Sequence, residues 1–146
     1  MKYALLDSDF LIAYFDEKDA YHKNAMKHSN LITQDKEYYL IIPCAVLFEV
    51  LNKRLMKNLN TLKKLEKEIL NRLNTNFYQH PECKNLAKEQ LKERQHGKRI
   101  SLVDGVLRYI LKTEQKIDVF ATSNPKDFFD LLKETIQIID MGEREN

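Results

Sequence analysis

Short apolar runs alternate along this chain with longer stretches whose apolar residues recur every three or four positions. The two periods belong to different elements: runs of four to eight residues suit buried strands, and three-four spacing suits helices with one buried stripe. Lys2 to Leu6, Tyr38 to Ile42, Ile117 to Ala121 and Ile136 to Ile139 read as strands, with a further short strand at Asn76 to Gln79. Between them, helices are expected from Phe10 to Phe15, from Ala20 to about Ile32 and from Cys44 to Leu55, the last on the stripe Val46, Leu47, Val50, Leu51 and Leu55. After a break at Asn58 to Asn60, Leu62, Leu65, Ile69 and Leu73 mark another. Pro81 suits the first position of a helix running to His96, with Gly97 as its C-terminal cap. Ser101 and Asp104 stand at capping-box spacing ahead of the stripe Val106, Leu107, Ile110 and Leu111, and a short helix is expected around Asp127 to Leu132. Strands alternating with helices give an α/β fold of three layers, α/β/α, around a mainly parallel sheet of four or five strands.

At 146 residues the chain is read as one domain, residues 1 to 146. Three Gly and three Pro among 43% hydrophobic and 32% charged residues indicate an ordered, helix-rich globule. Asp7 and Asp9 interrupt the apolar start before a signal-peptide core or membrane span is complete, so a cytoplasmic protein without membrane association is expected. Cys44 and Cys83 lie far apart without metal-ligand spacing and read as reduced packing residues. The net charge of +2 hides an uneven distribution. Lys53 to Arg72 and Lys84 to Arg99 are basic, which suits solvated helix faces and equally a phosphate-binding flank. Lys53 and Arg54 are the candidate substrate contacts there.

Three acids stand at element ends or beside apolar stripes, where an unpartnered carboxylate is costly: Asp7, Glu49 and Asp104. In an α/β order they can converge at the carboxyl end of the sheet, where such folds place their ligands. A cluster of that kind needs a cation, and all-oxygen ligation selects Mg²⁺ or Mn²⁺ over zinc.

Four segments, in order and at matching spacing, resemble the PIN domains, especially the VapC-type toxins of toxin–antitoxin pairs. They are Leu5-Leu6-Asp7-Ser8-Asp9-Phe10-Leu11-Ile12, Pro43-Cys44-Ala45-Val46-Leu47-Phe48-Glu49-Val50-Leu51, Ser101-Leu102-Val103-Asp104-Gly105-Val106-Leu107, and Val119-Phe120-Ala121-Thr122-Ser123-Asn124-Pro125-Lys126-Asp127-Phe128. The resemblance runs from Lys2 to about Ile139. It implies a PIN-like fold and Mg²⁺- or Mn²⁺-dependent endonucleolytic cleavage of RNA, water attacking phosphorus to leave a 5′-phosphate. Asp7 and Asp104 are then metal ligands, and Glu49 a ligand or a base that positions water. Asp9, Asn124 and Asp127 are candidates for a second metal or for orienting the ligands, and Thr122 and Ser123 for orienting a carboxylate or the phosphate. The family commonly has Asn or Ser where Asp9 stands, and its fourth acid falls here at Asn124 or at Asp127. A cognate antitoxin and a homodimer are the implied partners beside the RNA, with the apolar residues from Leu47 to Leu73 as interface material.

Plainer roles compete at each position. Asp7 and Asp9 can serve only the start of the first helix, a cap that Ser8 or Asp9 also fills; Asp104 can serve only its capping box; Glu49 can pair with Lys53 at i+4; and Asp127 can open a short helix. His22, His28, His80 and His96 are dispersed, and Tyr78 or Tyr109 offers a ring for an exposed base. Two other functions fit less of the sequence. Asp7-Ser8-Asp9 matches the DxD of haloacid-dehalogenase-like phosphohydrolases, but Phe10-Leu11 stands where that family has Gly-Thr. An inert PIN-fold RNA-binding module would have no need to keep Asp7, Glu49 and Asp104 together.

Overall fold

The computed structural model describes residues 1–52, 54–78, 83–95, 97, 101–114 and 116–142. Lys53, Gln79, His80, Pro81, His96 and Arg99 lie outside these, as do the side chains of Arg54 and Cys83.

Five strands, β1 (Lys2–Leu6), β2 (Tyr38–Pro43), β3 (Thr75–Tyr78), β4 (Val119–Thr122) and β5 (Gln137–Asp140), form one sheet in the order β3-β2-β1-β4-β5. Every pairing is parallel, so the expected mainly parallel sheet is wholly so. Ala4, Leu5 and Leu6 on β1, and Val119, Phe120, Ala121 and Thr122 on β4, are all buried. Side chains on a strand alternate between faces, so unbroken burial means that both faces of the sheet are covered, as parallel sheets require.

The covering helices are α1 (Ser8–Phe15), α2 (His22–Met26), α3 (Asn30–Thr33), α4 (Cys44–Asn52), α5 (Leu59–Leu65), α6 (Cys83–Gln95) and α7 (Leu102–Thr113). Single 3₁₀ turns lie at Arg54–Lys57 and Pro125–Phe128, and α5 widens into a π turn at Glu66–Leu70. Asn58 caps α5, accepting from the Thr61 N–H, which is why the chain breaks there. The single helix expected from Ala20 to Ile32 is instead two short ones. Only Ala25, Leu31 and Ile32 of that stretch reach the core, too few to hold a continuous helix against it. The stretch expected to be helical from Asp127 to Leu132 is the earlier 3₁₀ turn, with Phe128 packed edge-to-face on Phe120 at 5.0 Å.

Arg72 departs from the basic face its sequence position suggested. It is buried, and its guanidinium binds backbone carbonyls from three segments. Nε donates to Ile32 O at 3.2 Å, Nη2 to Tyr38 O at 2.7 Å and Leu31 O at 3.5 Å, and Nη1 to Asn74 O. Leu31 and Ile32 belong to α3 (Asn30–Thr33), and so short a helix leaves the carbonyls of its last residues without partners of its own, Asn30 O alone accepting from the Gln34 N–H at its end. One side chain thus closes α3 and ties it to the entries of β2 and β3. Arg72→Met should therefore lower stability by about 3 kcal/mol, since it strands several buried carbonyls. The urea midpoint of unfolding measures this, and an unchanged midpoint would show the carbonyls find other partners.

Candidate metal centre

The strand order fixes the site. β1 lies between β2 and β4, so the chain leaves β1 toward one side of the sheet and returns to it on the other, opening a crevice beyond the carboxyl ends of β1 and β4. Leu6 pairs with Ala121, which places Asp7 beside Thr122. The Asp7 N–H donates to Ala121 O at 3.0 Å, extending the ladder by one bond.

Asp7 is only 4% exposed, and two donors hold its carboxylate, with the single proton of the Ser8 hydroxyl shared between it and Glu49. Thr122 Oγ1 donates to Oδ2 at 2.8 Å, and the Ser8 N–H donates to Oδ1 at 2.7 Å. The Ser8 hydroxyl lies 3.2 Å from the same Oδ1 and 3.0 Å from Glu49 Oε1, bridging the first acid to the second. Asp7 is itself the cap of α1, a role the sequence left to Ser8 or Asp9, so capping and site coincide in one residue. Glu49 is carried on α4, whose buried stripe of Val46 and Val50 holds it half-buried at the site.

Asp104 sits in the first turn of α7, where Ser101 Oγ accepts from its N–H at 3.1 Å. The expected cap is present, and Asp104 also takes part in the acidic cluster. Ser123 donates its hydroxyl to Asp9 Oδ2, and Asn124 Nδ2 donates to Asp127 Oδ2 at 2.7 Å. Asn124 and Asp127 are exposed, whereas Asp9 and Ser123 are half-buried. Tyr78 and Tyr109 lie within electrostatic reach of each other, both packed partly against the core.

The electrostatics show which acids lie within reach of Asp7 and Asp104. Burial, then the charge of Asp9, pushes Asp7 up to about 7, against the pull of the Thr122 hydroxyl and Ser8 N–H, with Asp104 adding to the rise. Asp104 is raised by burial first; the Ser101 hydroxyl opposes this, and Asp127, Asp9 and Glu49 add to it. Asp9 therefore acts on both Asp7 and Asp104, Asp104 acts on Asp7, and Glu49 and Asp127 act on Asp104. Their donors are all oxygen, which fits a hard divalent cation by charge and ligand type. Among the described residues no three acids, His or Cys stand close enough to form a ready-made cage. Asp7 in particular is turned onto hydroxyl and backbone donors.

Three contributors escaped the sequence reading. Ser8 was read only as a cap, yet it links two carboxylates. Gly142 follows β5, and a Cβ there would lie 2.5 Å from Ser123 O, so only glycine lets the chain pass so close behind the site loop. Arg108 is buried four residues beyond Asp104. A lone arginine among the apolar positions of α7 was the available signal.

That fold is shared with solved structures. The crystal structure of FitAcB from Neisseria gonorrhoeae matches with a TM-score of 0.57 at 15% identity, over 97% of this chain and 99% of that one. The crystal structure of VapBC2 from Rickettsia felis, bound to a DNA fragment from their promoter, matches with a TM-score of 0.56 at 15% identity, over 93% and 96%. No protein-family model matches the chain, and no curated protein matches it significantly. The likeness is therefore one of fold: the PIN-like α/β architecture, followed almost from end to end.

Asp7 gives the metal-free protein a pH-dependent contribution to stability. Its folded pKa of about 7 lies above its ordinary 3.8, so the folded state binds the proton more tightly than the unfolded chain does. This contribution is fully present below pH about 4 and is lost as pH rises through about 7. Asp7→Asn keeps the cap and removes the charge. It should raise the melting temperature of the metal-free chain at pH 7.5 and flatten the fall in stability between pH 4 and 7. Thermal melts at several pH values in chelator would decide; a variant that melts lower at pH 7.5 would count against a strained Asp7 carboxylate.

Proposed function

We propose that this protein is a metal-dependent endoribonuclease, the toxin of a toxin–antitoxin pair. The observation that carries the reading is the electrostatic coupling of Asp7 and Asp104 to each other and to Asp9, with Glu49 and Asp127 acting on Asp104, and with Asp7 pushed up to about 7 by burial first and then by the charge of Asp9. A cation is the natural relief for such crowding.

Asp7 and Asp104 would hold Mg²⁺ or Mn²⁺, with Glu49 as a further ligand or as the base that orients water. When bound, the ion supplies charge neutralisation at the phosphoryl oxygens and a more acidic water. Ser8 and Thr122 fix the Asp7 carboxylate, so little reorganisation is asked of it as charge develops. Hydrolysis forms a bond from water oxygen to phosphorus and breaks the bond from phosphorus to the 3′-oxygen. Glu49 would take the water's proton, and the departing oxygen would acquire one as it leaves.

The basic surfaces support a polyanionic substrate. Lys57, Lys63, Lys64 and Lys67 near α5, and Lys84, Lys88 and Lys92 on α6, are exposed and free to meet phosphates. The candidate contacts Lys53 and Arg54 belong to the same reading. The fold it shares with VapBC2 supports an antitoxin that would offer a cationic side chain to the acidic site. Exposed Phe48, Leu59 and Leu73 suit an interface in a homodimer or with that antitoxin. No helix among the described residues is long and apolar enough to cross a membrane, which accords with action in the cytoplasm.

Labelled RNA incubated with the purified protein and Mg²⁺ or Mn²⁺ should be cut, and cutting should stop in chelator. Asp7→Asn and Asp104→Asn should each lower the rate by about a hundredfold or more, several kcal/mol of transition-state stabilisation. A folded, cation-loaded protein that leaves RNA intact but hydrolyses a phosphomonoester would instead support the phosphohydrolase reading.

A further inference from the structure

Asp104 and Arg108 stand one helical turn apart on α7, so one face of the helix carries both. Arg108 is buried, yet its guanidinium reaches across to the segment that follows β4. Nη1 donates to Asp130 Oδ1 at 2.9 Å and Nη2 to Asp130 Oδ2 at 2.6 Å, a bidentate pair. Nη1 also donates to the Asp127 carbonyl oxygen at 2.6 Å. The fork therefore spans from the helix of Asp104 to the Pro125–Phe128 turn and the residues just beyond it.

The Asp127 side chain on that turn is held by a second bond, from Asn124 Nδ2 at 2.7 Å. Its charge acts directly on Asp104. Asn124 offers the site no negative charge, and its amide is engaged in supporting Asp127. The positive charge of Arg108 is taken up by Asp130, so the fork holds the turn without joining the acidic cluster.

An ion pair of this kind, with the arginine buried and Asp130 exposed, contributes little net stability, because the cost of removing the guanidinium from water offsets most of an attraction that water already screens. Its distinctive contribution is geometric. A planar guanidinium engaging two oxygens of one carboxylate and a backbone carbonyl fixes the orientation of the turn as an apolar contact cannot.

We infer that Arg108 is a positioning residue for the metal centre proposed above: it clamps the Pro125–Phe128 turn to α7 so that Asp127, rather than Asn124, presents its carboxylate to the cation beside Asp104. This rests on the ribonuclease reading for its activity arm alone, since cation binding can be followed separately.

The test is Mn²⁺ titration of the full chain, followed by loss of the free-ion paramagnetic signal, with RNA cleavage measured on the same preparations. Arg108→Met should unfold cooperatively within about 5 °C of the parent chain, as expected for a volume-conserving loss of a weak ion pair. It should nevertheless bind Mn²⁺ about tenfold or more weakly, the usual scale for losing a group that orients a ligand. The activity loss should fall on kcat rather than KM. Arg108→Lys, which keeps the charge and loses the fork, should recover only part of the affinity. Asp127→Asn should show a similar Mn²⁺ loss, and adding Arg108→Met to it should weaken binding no further. Unaltered Mn²⁺ binding in Arg108→Met, losses that multiply in the double variant, or a large fall in melting temperature that accounts for the weakened binding would each overturn the clamp. A parent chain that holds Mn²⁺ but leaves RNA intact would overturn the ribonuclease reading alone, with the clamp still judged by affinity.

Discussion

Asp7 places a carboxylate at the junction of β1, α1 and β4 with almost no access to water. Burial and the neighbouring acids both oppose its charge, and the surrounding contacts reflect that opposition. Thr122 and Ser8 each turn a donor toward it, and Ser8 extends the contact to Glu49. The first turn of α1 starts from the same carboxylate. Capping and strand pairing therefore meet at one residue, whose charge burial and the neighbouring acids oppose.

The two buried arginines show how differently this fold uses the same group. Arg72 binds only main-chain carbonyls and a threonine hydroxyl, joining α3 to the entries of β2 and β3. Its role is satisfaction of backbone groups that no helix or ladder partner reaches. Arg108 instead grips the Asp127 carbonyl on the Pro125–Phe128 turn and the Asp130 carboxylate just beyond it. The first stabilises elements whose own hydrogen bonding is short; the second fixes an orientation.

Much of the architecture was legible in the sequence because hydrophobic period is a local property. Leu5 and Leu6 before Asp7, the stripe from Val106 to Leu111, and Ser101 three residues ahead of Asp104 each specify an element from contiguous residues. The same reasoning failed between Ala20 and Ile32, where apolar residues at helical spacing do not all find a core to face. It also misread Arg72, because charge predicts exposure only until a set of unpaired carbonyls makes burial favourable. Ser8, Gly142 and Arg108 were missed for a common reason: each acts through a residue distant in the chain.

The sequence by itself determined the strands, most of the helices, the α/β class and the acids at their ends, since these follow from side-chain period, capping chemistry and the cost of burying charge. Only the tertiary structure decided that β1 lies between β2 and β4, and hence that Asp7 meets Thr122 across 115 positions. Strand order and register are set by pairing energies summed over the whole sheet, and no local pattern encodes them. The same global packing chose Asp7 as the cap of α1 and aimed Arg108 at the turn of Asp127. Acids far apart in the chain thereby came within electrostatic reach of one another.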